Sequence, residues 1–479
     1  MSGADTELDA LRRARAAQSD AARPEIITRI HDNGRLTARE RLDLLMDPGS
    51  AVPYGTIAAA DPDSAESPWV VETGGLDALC SIEGQPAVVS STDYSDRGGG
   101  YGAARIGRLL ALAIEHRWPI VAFVDGGGSR AAHPRAGLGH VELSGAIGPY
   151  TVFDGMAELS GWAPTISIVS GPSFAGHASI AGFSDVVIAT EGSAIGMGGP
   201  PMVEAALGKR LTPTELSSAE MQYANGGIEL LVADEPAAVD SARRCLSYWR
   251  DRAVRADGEL DWLNPVDDAT AYDMGAVIVA LFDADSFIEL RAPFAPAVRV
   301  GFARMGGRPV GVLANDPAHA QGVIDDLGAQ KICRHVELCD AWELPIVSLI
   351  DTAGTSTVWR GRGKDKTTVR EPGLSRMHSR CLLVHQRRRV PMLSVQLRHG
   401  RGLAPALMTG YSTGTSVAAV RLAWPGVELD RADGFALVRD ANAFDDIIDP
   451  DETRARLLNL LRLLPATSAG TKRRGVDPW

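Results

Sequence analysis

The sequence predicts an α/β protein made of two copies of one unit. Continuous apolar runs rich in Val and Ile, such as Pro119–Asp125 and Thr165–Gly171, alternate with segments of helical spacing such as Ala104–Arg117. Strands buried on both faces of a parallel sheet show this pattern, because neither face meets water. A similar succession of strands and helices then occurs a second time along the chain.

Three matched segments carry the duplication. Each begins near a proline and is separated from its counterpart by nearly the same number of residues. The separations are 223 residues for Gly84 and Gly307, 226 for Pro119 and Pro345, and 227 for Pro164 and Pro391. A period this long indicates a duplicated domain rather than a short solenoid repeat. The polar stretch Arg250–Ala271 is the predicted boundary, which gives one domain over residues 1–250 and a second over 272–479.

The first 48 residues are predicted to form a helical arm added to the first copy. Thr37 with Glu40 three residues later forms a capping box, and the Asp-Pro-Gly turn at 47–49 ends the helix. Further strands are expected at Pro86–Asp93 and Asp185–Thr190, which are short and rich in β-branched residues.

Composition excludes several classes of protein. The chain of 479 residues carries a formal net charge of −12, whereas a general nucleic-acid binder needs a basic surface. It has no run of about 18 apolar residues, so no membrane span is expected, and its polar start resembles neither a signal nor a transit peptide. The five cysteines are scattered without a CxxC pair. This predicts reduced thiols, no metal site in this chain and a location in the cytoplasm.

In each copy the third matched strand ends in glycines and small residues just before a predicted helix, at Ser170–Gly182 and at Arg398–Gly410. Backbone N–H groups at a helix start carry the positive end of the dipole, and small side chains let a carbonyl oxygen approach them. Two such groups form an oxyanion hole that stabilises the enolate of a thioester. Ala175 and Gly176 are the candidates in the first copy; the alternative is that they only allow tight packing of helix on strand.

A second glycine turn, Val124–Arg130, ends the preceding strand of the first copy. Gly127, Gly128 and Ser129 are candidates for a further oxyanion donor or for a phosphate cradle. Arg130 is a candidate phosphate contact, with the covering of the turn as the alternative.

Other motifs give weaker hypotheses. The string Gly410–Gly414 matches GxSxG but follows a predicted helix rather than a strand, so a chance match is favoured. His177 is a candidate acid or base, with a supporting role preferred. The basic stretch Trp359–Arg380 is expected to be solvated or at an interface, with binding of an anionic group such as a CoA phosphate as the alternative.

Taken together, these motifs resemble the carboxyltransferase (β) subunits of biotin-dependent acyl-CoA carboxylases, of the propionyl-CoA carboxylase type within the crotonase-like superfamily. The resemblance covers nearly the whole chain and is stronger in the first half. The segments that carry it are GRLTARERLDLLMDPGS (Gly34–Ser50), VDGGGSR (Val124–Arg130), GPSFAGHASIAGFSD (Gly171–Asp185), VGFARMGGRPVGVLAND (Val300–Asp316), AWPGVELD (Ala423–Asp430) and DPDETRARL (Asp449–Leu457).

The resemblance implies two tandem crotonase-like ββα superhelical domains that assemble through dimers into a hexamer. It also implies that the first half handles the acyl-CoA, and that the second half receives carboxybiotin from a separate carrier protein. A biotin carboxylase subunit is then an expected partner, and coenzyme A is part of the substrate. Carried over by position, the donors are Ala175 and Gly176 in the first half, with Ser173 beside the substrate, and Leu403 and Ala404 after Gly402 in the second.

Several positions depart from the family pattern. Ala406 stands where the family has an aspartate that lines the acyl pocket, and Pro405 beside it has no N–H to donate. Thr352–Lys366 replaces the family's glycine-rich segment, so the half that is expected to hold biotin has diverged.

Three functions follow from these observations. The leading one is a carboxyltransferase subunit that moves a carboxyl group from carboxybiotin to the α-carbon of an acyl-CoA through a stabilised enolate. The second is a decarboxylase or hydrolase of a CoA thioester or β-dicarbonyl compound that works without biotin. The third is a catalytically silent structural subunit.

Overall fold

The structure is a computed structural model that describes residues 3–17, 19–54, 57–59, 69–71, 75–92, 94, 103–127, 150–249, 272–356, 374–410, 420–429, 432–433, 444–465 and 475–477. The chain forms two compact units, Met1–Arg244 and Cys245–Asp477. The predicted boundary segment, 250–271, lies outside the described residues, and the exact domain limits stay a prediction.

The first unit is built on a mainly parallel sheet with strand order β1-β4-β5-β6-β7-β9-β11, in which β1, β4 and β5 pair antiparallel and the later strands pair parallel. Two short pairs, β2 with β3 and β8 with β10, lie outside this sheet. The strands are β1 (Val52–Tyr54), β2 (Ile57–Ala59), β3 (Trp69–Val71), β4 (Gly75–Ile82), β5 (Gln85–Thr92), β6 (Ile120–Val124), β7 (Thr165–Val169), β8 (Pro172–Phe174), β9 (Val186–Thr190), β10 (Ala194–Gly196) and β11 (Leu230–Val232).

Helices precede and connect these strands. The helices of the first unit are α1 (Gly3–Ala17), α2 (Pro24–Asp32), α3 (Ala38–Leu45), α4 (Ala103–His116), α5 (Val152–Leu159), α6 (Gly176–Phe183), α7 (Pro200–Leu207), α8 (Pro213–Ser217), α9 (Ala219–Ala224) and α10 (Glu235–Ser247), which runs through the division between the units. The capping box predicted for the arm is confirmed: the Thr37 side chain accepts the Glu40 N–H, and the Glu40 carboxylate accepts the Thr37 N–H.

The second unit repeats this plan, with strand order β12-β13-β14-β15-β16-β17-β20 and the pair β18–β19 attached to β16. Its strands are β12 (Ile288–Leu290), β13 (Val298–Met305), β14 (Arg308–Asn315), β15 (Ile346–Thr352), β16 (Met392–Gly400), β17 (Val420–Ala423), β18 (Glu428–Leu429), β19 (Ala432–Asp433) and β20 (Asp446–Ile447). Its helices are α11 (Met274–Leu281), α12 (Asp326–Ala341), α13 (Leu374–Arg387), α14 (Ala404–Thr409) and α15 (Thr453–Leu463).

The strand positions agree with the duplication read from the sequence. β14 begins 223 residues after β5, β15 begins 226 after β6, and β16 begins 227 after β7. In both units an antiparallel hairpin feeds a parallel succession of strands. β6, β7, β9 and β15 are buried along their whole length, as expected for strands that are covered on both faces. The α/β prediction is confirmed.

Neither a membrane-spanning helix nor a metal site is found within the described parts of the chain. None of the helices given above is long and apolar enough to cross a bilayer. The same residues contain no group of three or more His, Cys, Asp or Glu side chains placed to hold a metal ion.

One buried amine lies inside the second unit. Lys331 on α12 is 1% exposed, and its ammonium donates to the Phe294 carbonyl at 2.7 Å. Burial lowers the pKa of Lys331 to about 7, partly offset by the charge of Glu289. The charged form is thus disfavoured in the folded chain.

We expect Lys331→Met to change how stability depends on pH. Between a folded pKa of about 7 and an unfolded one of about 10.4, the unfolded chain binds a proton that the folded chain does not, so the free energy of unfolding rises with pH in that window. The variant lacks this contribution, so its stability relative to the wild type should fall by a few kcal/mol from pH 7 to 10. Urea denaturation across that range measures it; a constant difference would contradict the lowered pKa.

Candidate active site

The two glycine segments of the first unit meet at the carboxyl ends of β6 and β7. The N–H of Gly126, just after β6, donates to the Pro172 carbonyl at 2.8 Å, and the N–H of Phe174 donates to the Gly126 carbonyl at 2.8 Å. Gly126 and Ser173 therefore form a parallel bridge. This edge of a parallel sheet is where open α/β proteins bind their ligands.

Asp125 fixes the start of the second segment. One carboxylate oxygen accepts the N–H groups of Ser170 and Gly171 at 3.0 and 2.9 Å, and the other accepts the Ser170 hydroxyl at 3.0 Å. Because the carboxylate is 1% exposed, water does not compete for these bonds. The end of β6 and the end of β7 are thereby locked together.

Arg41 from the arm neutralises this carboxylate. Its guanidinium donates to Asp125 at 2.7 Å, to Glu235 at 2.5 Å and to the Thr92 carbonyl at 2.6 Å, and it is itself 1% exposed. A further bond reaches the Ser170 hydroxyl at 2.8 Å. The charges of the two carboxylates raise the pKa of Arg41, although its burial acts in the opposite direction. One side chain of the arm thus joins the ends of β5, β6 and β7 to α10.

A cavity of about 180 Å³ lies beside this network. Arg35 stands close to it: a Cβ built at Gly171 would lie 2.6 Å from the Arg35 guanidinium and 3.0 Å from the Asp125 carboxylate. The cavity is lined by Ile26, Arg29, Ile30, Asn33, Arg35, Leu36, Arg41, Tyr94 and Asp125.

Ala175 joins β8 to α6 in a strained conformation. Its φ of 54° and ψ of −118° lie in a region that side chains rarely adopt, at a cost of about 1–3 kcal/mol. Its N–H points at the carbonyls of Gly196 and Met197, at 3.2 Å each. The Ala175 N–H thus already has acceptors within the structure, next to the pairing of β8 with β10, and its role as an oxyanion donor stays a prediction.

Gly176 is the first residue of α6, and its N–H has no acceptor among the described residues. A first-turn N–H cannot bond within its own helix, and it carries part of the positive end of the dipole. Of the two predicted donors, Gly176 is thus the one whose N–H has no acceptor among the described residues, and its role as an oxyanion donor stays a prediction.

His177 packs on the glycine turn. A Cβ built at Gly126 would lie 2.2–2.5 Å from three atoms of the imidazole, so only glycine fits at that position. The imidazole is 4% exposed. This placement favours the supporting role expected for His177 over a direct exchange of protons with a substrate.

Of the remaining predicted residues of the first unit, two lie in the described part of the chain and three lie outside it. Gly127 is exposed next to Gly126, whereas Gly128, Ser129 and Arg130 lie outside the described residues. Ser173 is fully buried beneath the turn. Its contact with substrate stays a prediction.

In the second unit the predicted residues lie in the turn after β16 and in the first turn of α14. Gly402 has a φ of 61°, Leu403 is 60% exposed, and Ala404 begins α14. Within the described residues no acceptor faces the N–H groups of Leu403 and Ala404. Ala406 is 7% exposed within α14, so its methyl lies largely in the interior rather than on an open pocket wall.

Asp351 takes the position in the second unit that Asp125 takes in the first. It follows Asp125 by 226 residues and accepts the His399 N–H at 3.0 Å, while Arg398 lies 3.2 Å away as its counter-charge. His399 places its ring 3.1 Å from the same carboxylate. The cation here comes from β16 itself rather than from an added arm.

His385 and Ser348 hold the end of α14. The Ser348 hydroxyl donates to the Met408 carbonyl at 2.9 Å, and His385 Nε2 lies 2.9 Å from the Leu407 carbonyl. Arg388 donates to His385 Nδ1 at 3.0 Å, so Nε2 carries the proton. Burial and the charge of Arg388 lower the pKa of His385 to about 3. Sequence patterns do not predict these contacts, because Ser348 and His385 lie 60 and 22 residues from the carbonyls that they bind.

The weaker motifs contribute little to these sites. The serine of the GxSxG string and residues 359–373 of the basic stretch lie outside the described residues. Arg380, in the described end of that stretch, pairs with Asp477 at 2.7 Å. His378 lies on α13, two turns before His385, and is partly exposed.

Fold and site together define a class of enzyme: a duplicated α/β carboxyltransferase whose glycine turns present backbone N–H groups at the carboxyl edge of each sheet. The chain belongs to the carboxyl transferase domain family, which it matches over residues 29–429. This family includes the carboxyltransferase components of acyl-CoA carboxylases, and the resemblance read from the sequence is confirmed.

Named relatives support the assignment. The chain is 29% identical to the biotin-dependent acetyl-/propionyl-coenzyme A carboxylase beta5 subunit of Mycobacterium tuberculosis, over 85% of this chain and 75% of the relative. It superposes on one chain of the transcarboxylase 12S crystal structure, which holds methylmalonyl-coenzyme A, with a TM-score of 0.81 and 25% identity, covering 99% of this chain and 98% of that chain. A single-chain, multi-domain long-chain acyl-CoA carboxylase gives a TM-score of 0.80 and 30% identity over 95% of this chain, which spans about half (48%) of that longer chain.

We expect Arg41→Met to destabilise the first unit by about 3–5 kcal/mol, because two buried carboxylates lose their counter-charge. The double variant Arg41→Met/Glu235→Gln should recover part of the loss. Chemical denaturation followed by circular dichroism measures both. Arg12→Met serves as the control, since Arg12 is an exposed arginine of the same arm and its ion pair contributes little. Equal losses for the two arginines would contradict a central role for Arg41.

Proposed function

We propose that this chain is the carboxyltransferase subunit of an acyl-CoA carboxylase and that the first unit binds the thioester of the acyl-CoA. The observation that carries this is the Gly176 N–H, which starts a helix at the carboxyl edge of a parallel sheet and has no acceptor among the described residues. Family membership supports the reaction class.

In this proposal the first unit stabilises negative charge on the oxygen of the thioester. When the α-carbon of an acyl-CoA loses a proton or carbon dioxide, charge builds on the thioester oxygen. An N–H donor aimed at that oxygen stabilises the enolate more than the ground-state carbonyl. Gly127 and the undescribed Gly128 are proposed as sources of a second donor, since the Gly126 bridge brings this turn to Ser173. Ser129 and Arg130 remain proposed substrate contacts.

The second unit is proposed to receive carboxybiotin. Leu403 and Ala404 have N–H groups without acceptors in the described structure, as a ureido carbonyl requires, and the exposed Leu403 offers apolar surface to a bicyclic ring. Carboxybiotin supplies the carboxyl group and arrives on a carrier protein, so a biotin carboxylase and carrier are proposed partners. Assembly of dimers into a hexamer is proposed from the 12S relative, and the five cysteines, all free, support a reducing cytoplasm.

The test is release of CO₂ from malonyl-CoA and methylmalonyl-CoA by the purified chain, with and without free biotin. We expect release that depends on biotin, because the carboxyl group must first pass to the acceptor in the second unit. Release without biotin would overturn the proposal in favour of a stand-alone decarboxylase. No release in either case would contradict it as well, provided that none appears after addition of any biotinylated protein that co-purifies with the chain.

The role of Gly176 as a hydrogen-bond donor is tested by a substitution that removes its backbone N–H. Proline is tolerated at the first position of a helix, but it restricts the backbone conformation of the residue before it. Gly176→Pro is therefore made together with Ala175→Gly, and the double variant is compared with Ala175→Gly alone. We expect the added proline to lower kcat about 10²–10³-fold, as loss of one oxyanion donor does, with an unchanged melting temperature. Equal kcat values for the two variants would show that the donor lies elsewhere.

A further inference from the structure

The cavity of about 180 Å³ in the first unit combines apolar and cationic side chains. Ile26 and Ile30 lie four residues apart on α2 and therefore share one face of that helix, and Leu36 adds a further apolar side chain. Arg29 and Arg35 line the same cavity. Its volume lies below the roughly 300–1,000 Å³ of pockets that hold a whole small molecule, so it suits one end of a larger ligand.

The positive charge of these two arginines is not neutralised by the residues that the structure describes. Neither guanidinium has an ion pair or a hydrogen bond within those residues. Asp125 lines the same cavity, but both of its oxygens already accept bonds, from Arg41 and from the segment after β7. The cavity thus has surplus positive charge in a chain whose formal net charge is −12, and a bound anion would neutralise it.

The backbone around Arg35 is fixed before any ligand binds. Its N–H donates to the Ile30 carbonyl at 3.2 Å, and the N–H of Leu36 donates to the buried Glu235 carboxylate at 2.7 Å. The Arg35 guanidinium lies over Gly171, where a built Cβ would be 2.6 Å from it. The cation is thereby held at the carboxyl ends of β6 and β7, and such preorganisation lowers the cost of binding.

Tyr94, two residues after β5, adds a hydroxyl group and an aromatic face to the cavity. Its side chain is 38% exposed, so it lies where the cavity meets solvent. Burial and the charge of Asp125 raise the pKa of Tyr94 to about 12, so the hydroxyl keeps its proton at neutral pH. Guanidinium groups recognise phosphate oxygens, and aromatic and apolar surface suits a heterocyclic base. The combination favours a nucleotide phosphate over a simple carboxylate.

We propose that this cavity is a subsite for the nucleotide phosphates of the acyl-CoA, with Arg35 as its main cation and Arg29 and Tyr94 beside it. The proposal rests on the proposed function, which places the thioester at the Gly176 N–H. Gly171, under the Arg35 guanidinium, lies five residues before Gly176, so the two α-carbons are at most about 18 Å apart. The extended pantetheine arm of CoA can bridge such a separation.

The experiment compares malonyl-CoA with malonyl-pantetheine, which lacks the nucleotide, as donors of the carboxyl group to free biotin. Arg35→Met should raise KM for malonyl-CoA about 10-fold or more, as loss of a hydrogen bond between charged groups does, with kcat unchanged. KM for malonyl-pantetheine should be equal in the variant and the wild type. Arg35→Lys, which keeps the charge, should raise KM for malonyl-CoA less than Arg35→Met does.

Arg12→Met is the control, because Arg12 is an exposed arginine of the same arm, and it should change neither KM. The melting temperature of Arg35→Met should not fall, since its guanidinium has no bond to lose within the described residues. Equal rises in KM for the two substrates would assign Arg35 to the folding of the site and overturn the subsite.

Direct binding separates the substrate from a free nucleotide as the source of the phosphate. In a calorimetric titration, adenosine 3′,5′-bisphosphate should bind Arg35→Met about 10-fold more weakly than the wild type. Weaker binding with an unchanged KM for malonyl-CoA would show that the cavity takes a free nucleotide, and would overturn its assignment to the substrate. A wild type inactive with both substrates would overturn the proposed function, whereas binding of the bisphosphate that still depended on Arg35 would support the subsite.

Discussion

The first unit depends on one buried ion pair, that of Arg41 with Asp125. Asp125 alone would be costly to bury, because an unpaired carboxylate loses its hydration without replacement. With Arg41 beside it, the carboxylate can accept the backbone N–H groups of Ser170 and Gly171. Those bonds set the direction in which the chain leaves β7, and hence the place where α6 begins. The arm is therefore part of the site's construction, although it lies far from Gly176 in sequence.

The second unit meets the same requirement with different residues. Asp351 again sits at the end of the equivalent strand, but its cation, Arg398, comes from the neighbouring strand. The position of α14 is also held from its far end, by Ser348 and His385 on its last carbonyls. Both units thus have a carboxylate at the end of the equivalent strand, but the arginine that neutralises it comes from a different element in each unit.

Sequence patterns were sufficient for the strands, the duplication and the position of the glycine turns, since these follow from local periodicity and from repetition. They were insufficient for the partners of Arg41, because Asp125 and Glu235 lie 84 and 194 residues away. They also do not predict the acceptors of the Ala175 N–H, because no local signal places β10 beside it. The burial of Ser173 likewise depends on β10, which returns to pair beside it.

The strain at Ala175 can persist because both of its flanks are fixed. On one side Asp125 holds the end of β7 and β10 pairs with β8; on the other, the helix α6 is buried along one face. Relaxing φ at a single residue would require breaking several of these bonds, each with a net value of about 1 kcal/mol. The cost of about 1–3 kcal/mol at one residue is smaller than that sum. A turn held in this way keeps its N–H fixed before substrate arrives, which is what stabilisation of a developing enolate requires.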